Sequence, residues 1–176
     1  MSAERLVQEA QAFSQEAWAQ IHDDYYTKIF DYCYIHTGDR PAAEDLASEV
    51  FLEALRGIRR YEYRGLPITS WLYRIARNLT ADHLQRNSRR PTVPLVNEAE
   101  NPRLQVPDAS ESSANWHDIR DALAQLTADQ RQVIILRFFQ NLSHDETAAI
   151  MKRRPGAVRV LQSRALNAMR RLLTAA

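Results

Sequence analysis

The chain has 176 residues, of which 45% are hydrophobic and 26% charged, a balance that suits one large folded domain or two small ones. Its formal charge of +1 points to no particular partner, and its single cysteine, Cys33, excludes an intrachain disulfide or a thiolate metal cluster. No apolar run approaches the roughly 20 residues that a membrane span needs, and the first residues lack the basic start and apolar core of a signal peptide, so a cytoplasmic protein without membrane insertion is expected.

Almost every periodic segment reads as helix, and an all-α fold is expected. Residues 1–16 form an N-terminal extension that either lengthens the first helix or binds a regulator. Trp18, Ile21, Tyr25, Ile29 and Cys33 then recur at helical spacing up to Gly38-Asp39. Pro41 is placed where a helix tolerates proline, just inside its first turn. The helix it opens carries Leu46, Ala47, Val50, Phe51, Ala54 and Ile58 on one stripe and Asp45, Ser48, Glu49, Leu52 and Arg56 on the reverse. A loop over 61–67 holds Tyr61, Tyr63, Arg64 and Gly65. A third long helix is predicted over about 68–86, with Trp71, Leu72, Ile75, Ala76 and Leu79 inward and Arg74, Arg77, Asn78, Ala81 and Gln85 outward.

Periodicity disappears over 88–115, where Pro91, Pro94, Pro102 and Pro107 break any helix, and the stretch reads as a flexible tether. The chain so divides into 17–87 and 116–176, two small helical domains. In the second, Thr127-Ala128-Asp129-Gln130 is a capping box that opens a helix with Val133, Ile134, Leu136 and Phe138. Ser143-His144-Asp145-Glu146 is another and introduces a short helix over 147–151. After the basic turn Lys152-Arg153-Arg154, a last helix starts at Pro155 with Val158, Leu161, Ala165, Met169 and Leu172 as its apolar stripe. A short helix, a tight turn and a longer basic helix make a helix-turn-helix.

Charge follows this division. From Met151 onwards there are seven basic residues and no acidic one, and Arg74, Arg77, Arg86, Arg89 and Arg90 make a second basic zone. Between them Glu98, Glu100, Asp108, Glu111 and Asp118 face Arg103 alone, a pattern that suits two separate contacts with a polyanion. At the start of the last helix, Arg153, Arg154, Gly156, Ala157, Arg159 and Val160 are placed to enter a major groove, with arginine suited to guanine and the small apolar groups to thymine methyls. Arg164, Arg170 and Arg171 lie further along, where phosphates pass. Tyr61, Tyr63, Arg64 and Trp71 beside a basic face instead suit unstacked bases, whose faces stack on rings while cations hold phosphates. Trp71 reads equally as core or as a wedge. The acidic second helix, with Glu44, Asp45, Glu49 and Glu53, would repel DNA and suits a protein partner, with Leu52 as an apolar anchor.

These residues resemble a known family. Ala43-Glu44-Asp45-Leu46-Ala47-Ser48-Glu49-Val50-Phe51-Leu52 is similar to region 2.2 of the extracytoplasmic-function (group IV) sigma factors of bacterial RNA polymerase. Ser70-Trp71-Leu72-Tyr73-Arg74-Ile75-Ala76-Arg77-Asn78-Leu79, with Asp82-His83-Leu84, resembles regions 2.3 and 2.4. Leu142-Ser143, Gly156-Ala157-Val158-Arg159 and Arg164-Ala165-Leu166 resemble region 4.2.

The resemblance implies a region 2 bundle and a region 4 helix-turn-helix on a dissociable polymerase subunit. It implies docking of Asp45, Ser48, Glu49 and Leu52 on the β′ clamp helices. Melting of the −10 element and capture of a flipped base would fall to 61–68 with Trp71, Arg74, Arg77 and Asn78. Region 4 would read the −35 duplex and touch the β flap, and an anti-sigma protein is an implied partner. Ser48 stands where the family often has glutamine, and Lys152 where glycine is common. The sequence calls for no cofactor or metal.

Two other readings stay open at this level. A stand-alone regulator would use the same helix-turn-helix as a dimer on two half-sites. The neighbours His22-Asp23, Asp82-His83, His117-Asp118 and His144-Asp145 also evoke a His–Asp metal phosphohydrolase, although His144-Asp145 is accounted for by capping.

Overall fold

The computed structural model describes residues 2–88 and 112–175, and every regular element among them is helical. Most of the expected tether, and with it Arg89, Arg90 and the four prolines, lies outside the described residues. Packing divides the described chain into two compact units, one of 2–88 with 145–153 and one of 112–144 with 154–175. No described helix is long and apolar enough to cross a membrane.

The first unit begins with α1, Ala3–Gln11, capped by Ser2, whose Oγ accepts from the Arg5 amide at 3.2 Å. The extension does not lengthen the next helix. Phe13 takes a left-handed φ of 59°, and Ser14 caps a separate helix α2, Gln15–Thr37, by accepting from the Ala17 amide. The chain therefore turns back, and α1 buries Leu6, Val7 and Ala10 while the Trp18 indole Nε1 donates to the Ala10 carbonyl at 3.1 Å. Gly38 ends α2 with φ 66°, its amide donating to the Tyr34 carbonyl, as the sequence expects of a glycine at a helix end.

Helix α3, Arg40–Gly57, has Pro41 in its first turn and runs into a 3₁₀ turn, Ile58–Arg60. Helix α4, Ile68–Ser88, packs with α2 and α3 around Ile21, Ile29, Tyr32, Cys33, Val50, Ile58, Leu72 and Tyr73, all fully buried. Each large apolar side chain removed from water here contributes about 1.5–3 kcal/mol before ordering entropy is counted. On α4 the buried stripe is displaced from the expected one. Leu72, Tyr73, Ala76 and Thr80 are buried, whereas Trp71, Ile75 and Leu79 are half-exposed. Tyr73 meets Tyr32 edge to face at 5.6 Å, and burial pushes its hydroxyl pKa well above the ordinary tyrosine value.

In the second unit, α5, Ser112–Gln125, and α6, Ala128–Ile134, are joined by the expected capping box. The Gln130 amide donates to Thr127 Oγ1 at 3.3 Å, and the Thr127 amide to Gln130 Oε1 at 3.2 Å. Arg131 closes the other side, its guanidinium donating to the carbonyls of Leu123, Ala124 and Leu126 at and just beyond the end of α5. Beyond Ile134 the chain widens into a π turn, Ile135–Phe139, where the Gln140 amide reaches back five residues to the Ile135 carbonyl. This extra residue per turn shifts the helical register. Phe138 points outward, 47% exposed, while Phe139 turns edge-on to Trp116 at 5.8 Å.

Helix α7, His144–Met151, starts three residues earlier than expected, and its Thr147, Ala148, Ile150 and Met151 are buried. Helix α8, Pro155–Thr174, begins at the predicted proline and buries Val158, Ala165 and Met169 on α5 and α6. Gln162 on α8 accepts at Oε1 from Arg137 Nε at 3.0 Å, and His144 Nε2 lies at the same distance from that oxygen. The link ties α8 to the π turn.

Candidate nucleic-acid interface

Tyr61 leaves the 3₁₀ turn in extended backbone, its amide donating to the Ile58 carbonyl at 3.1 Å. Its ring lies against Trp71, centroids 4.7 Å apart and planes 30° from parallel. Trp71 is therefore neither core nor free wedge but a half-buried platform with Tyr61. Gly57 makes room for it: a Cβ there would lie 3.3 Å from Trp71 Cζ2. Burial raises the Tyr61 pKa, reinforced by Tyr63 and opposed by Arg74, so the phenol stays neutral and keeps its proton to donate. Tyr63 and Arg64 stand in solvent, with Arg64 Nη2 donating to Glu62 at 2.9 Å, and Gly65 turns the loop with φ 78°.

On α4, Arg74 and Asn78 are exposed near this loop in sequence. Arg77 is half-buried, and its Nη1 donates to the Ile150 carbonyl at 3.2 Å. Arg59 and Arg60 on the 3₁₀ turn are exposed too, and the sequence reading missed them. Only the 3₁₀ turn, which interrupts the helical register after Gly57, brings them to the foot of the loop. Arg59 stacks over the Phe13 ring at 4.8 Å and Arg64 pairs with Glu62, while Arg74 is near enough to act on the Tyr61 hydroxyl, so exposed arginines flank the Tyr61–Trp71 pair along the chain.

The outer face of α3 presents Asp45, Ser48 and Leu52, the last 46% exposed. Glu49 is half-buried and shares Arg56 with Glu53, the Arg56–Glu53 contact being 2.7 Å. Leu55 is exposed one turn beyond Leu52, so this face carries two neighbouring leucines among charges rather than one.

The turn before α8 takes the left-handed conformation that its position demands. Lys152 has φ 54°, and the Arg153 amide reaches back to the Ala148 carbonyl at 2.9 Å. A lysine there costs about 1 kcal/mol relative to the ordinary helical well. Arg153, Arg154, Gly156, Ala157, Arg159, Val160 and Arg164 are all exposed, Val160 at 52%. A Cβ on Gly156 would meet no atom within 4 Å, so nothing inside the molecule requires a glycine there.

The His–Asp neighbours do not converge. Among the described residues no three His, Cys, Asp or Glu side chains gather as a metal site, and His22 with Asp23 form only an exposed contact at 3.7 Å.

A half-buried aromatic pair on one unit and an arginine-lined helix face on the other are the two surfaces whose chemistry suits nucleic acid. Comparison with known proteins assigns the family. The Sigma-70 region 2 family matches residues 21–90, and the Sigma-70 region 4 family matches 116–169. ECF RNA polymerase sigma factor BldN of Streptomyces coelicolor is 38% identical over 171 residues, 96% of this chain, which spans 64% of that relative's length. ECF RNA polymerase sigma factor SigD of Mycobacterium tuberculosis is 33% identical over 187 residues, covering 100% of this chain and 87% of the relative.

Among solved structures, CnrH in complex with the cytosolic domain of CnrY shares the fold at TM-score 0.75 and 19% identity, over 98% of this chain and 97% of that one. RpoE in complex with the anti-sigma factor NepR from Bartonella quintana matches at TM-score 0.70 and 25% identity, over 89% of this chain and 96% of that one. The chain belongs to the extracytoplasmic-function sigma factors of the sigma-70 family. It is a DNA-binding transcription initiation factor and not an enzyme.

Proposed function

We propose that the chain docks on core RNA polymerase through α3, reads a −35 duplex through α8, and holds an unstacked −10 base in the loop over 61–68. The observation that carries this reading is the half-buried Tyr61–Trp71 platform, with Arg74 acting on the Tyr61 hydroxyl and Arg59, Arg60 and Arg64 exposed on the adjoining turn and loop. A closed duplex offers few base faces to such a platform, so its chemistry suits DNA that has been opened. Tyr61, Tyr63, Arg64, Trp71, Arg74, Arg77 and Asn78 form the proposed −10 surface. Arg153, Arg154, Gly156, Ala157, Arg159, Val160 and Arg164 form the −35 surface, and arginine reads guanine there while Arg164 holds phosphate.

Asp45, Ser48, Glu49 and Leu52 form the proposed contact with the β′ clamp helices, and region 4 also meets the β flap. Two weak DNA contacts fixed on one polymerase add through effective concentration, which makes the free chain a poor DNA binder and the holoenzyme a selective one. An anti-sigma factor is the inferred inhibitor, and work on polymerase puts the protein in the cytoplasm. The domain limits 1–16, 17–87, 88–115 and 116–176 serve this division of labour.

Transcription in vitro with bacterial core polymerase on fragmented genomic DNA tests the proposal. Start sites that share two spaced elements, and depend on the added chain, are expected. A folded chain that yields no dependent transcript, or a stable dimer that binds a palindrome without polymerase, would overturn it.

A further inference from the structure

Residues 1–16 precede the span 21–90 that the Sigma-70 region 2 family matches, yet α1 is attached to the base of the loop that the proposed function depends on. The Gln11 side-chain Nε2, at the last residue of α1, donates to the Tyr61 carbonyl at 2.8 Å and to the Ile58 carbonyl at 3.2 Å. These two carbonyls flank the 3₁₀ turn, and the Ile58 carbonyl also accepts the Tyr61 amide. One primary amide therefore fixes both the entrance and the exit of the turn from which the loop departs.

The helix that carries Gln11 is itself held. Leu6, Val7 and Ala10 are buried, the Trp18 indole is tied to the Ala10 carbonyl, and Arg59 lies 4.8 Å over the Phe13 ring. Tyr61, whose carbonyl Gln11 clamps, is the ring that lies on Trp71. Loss of the clamp leaves the half-buried Tyr61 residue without its side-chain donor and lets the loop swing against the platform.

We infer that Gln11 is a positioning residue for base capture, and that α1 is a working part of the strand-holding surface. Gln11 touches no DNA in this scheme. It sets the direction in which the backbone leaves Tyr61, and so the place where Tyr63 and Arg64 meet the strand. The inference rests on the proposed role of the loop, and the experiment separates the two.

Holoenzyme assembled from the full chain and core polymerase is first used to enrich a pool of single-stranded oligonucleotides with a randomised central stretch. Enrichment of a shared sequence by the wild type is expected. A wild type that enriches none refutes the role of the loop, and the inference with it. The enriched oligonucleotide is then titrated against Gln11→Met, which keeps the side-chain length and removes the donor, and against Arg5→Ala on the exposed side of α1. Loss of two hydrogen bonds predicts capture weakened about tenfold in Gln11→Met.

Faster hydrogen exchange of the amides over 61–66 and altered base preference are expected in the same variant. Affinity for core polymerase should stay within about twofold of wild type, and Arg5→Ala should match wild type throughout. Capture by a folded Gln11→Met at wild-type affinity and preference would overturn the inference. So would equal losses in capture and in core binding, the mark of a merely structural role.

Discussion

Gly156→Ala separates stability from DNA binding because the structure shows room for the methyl group. Gly156 occupies the second position of α8, is exposed, and a Cβ there would meet nothing within 4 Å. Its φ is not positive, so alanine enters without strain. Removal of glycine's excess freedom in the unfolded chain stabilises by about 0.4–1 kcal/mol. For a chain of this size that raises the melting temperature by roughly 1–4 °C.

If this turn of α8 faces the groove floor, the same methyl group meets DNA and weakens −35 binding by about 1–3 kcal/mol, roughly five- to 150-fold. Differential scanning calorimetry of the free chain and promoter titration of the holoenzyme read the two effects separately. The expected result is higher stability with lower affinity. Unchanged −35 affinity in a stabilised variant would show that Gly156 lies away from the DNA, and a destabilised variant would refute the reading of its surroundings.

Leu52→Ala should lower affinity for core polymerase about tenfold with little change in melting temperature, because the side chain is already exposed in the free protein; binding of labelled chain to core measures it. Arg164→Ala should weaken promoter binding uniformly across sequences and reduce the slope of log affinity against log salt by about 0.9, seen in titrations over a range of salt. Burial pushes the Cys33 thiol up to about 12, so native protein should resist alkylation at pH 8 at a rate set by unfolding, and fast labelling of folded protein would contradict its placement. The unfolded thiol ionises near its ordinary value of 9 while the folded one keeps its proton. The Cys33 contribution to stability is therefore intact below that value and is lost as pH rises towards about 12, which denaturant titrations across that window record.

Local signals in this chain are readable because the groups that make them are neighbours. Thr127 and Gln130 are three residues apart and form the box that their types foretell. Gly38 ends a helix, Pro155 starts one, and Lys152 adopts the left-handed turn that its place between two helices requires. The basic face of α8 follows from helical period and composition alone. Where the local rule is interrupted, prediction slips. The π turn at 135–139 adds a residue per turn and sends Phe138 outward, although both phenylalanines have the same hydrophobicity. On α4 the helical period was legible but its phase was not, since Trp71 and Tyr73 compete for the inward position. The facing Tyr32 and the gap above Gly57 decide between them.

By itself the sequence determined an all-helical chain, its capping positions, the separation of its two basic zones, and a family resemblance that the comparisons bear out. Tertiary structure decided which aromatic rings meet. It paired Tyr61 with Trp71, laid Arg59 over the Phe13 ring, and set Gln11 under the loop across a separation of 50 residues. Helix period and capping act within a few residues and are written in adjacent letters. A hydrogen bond from Gln11 to the Tyr61 carbonyl exists only once three helices have packed and returned α1 to the foot of the loop.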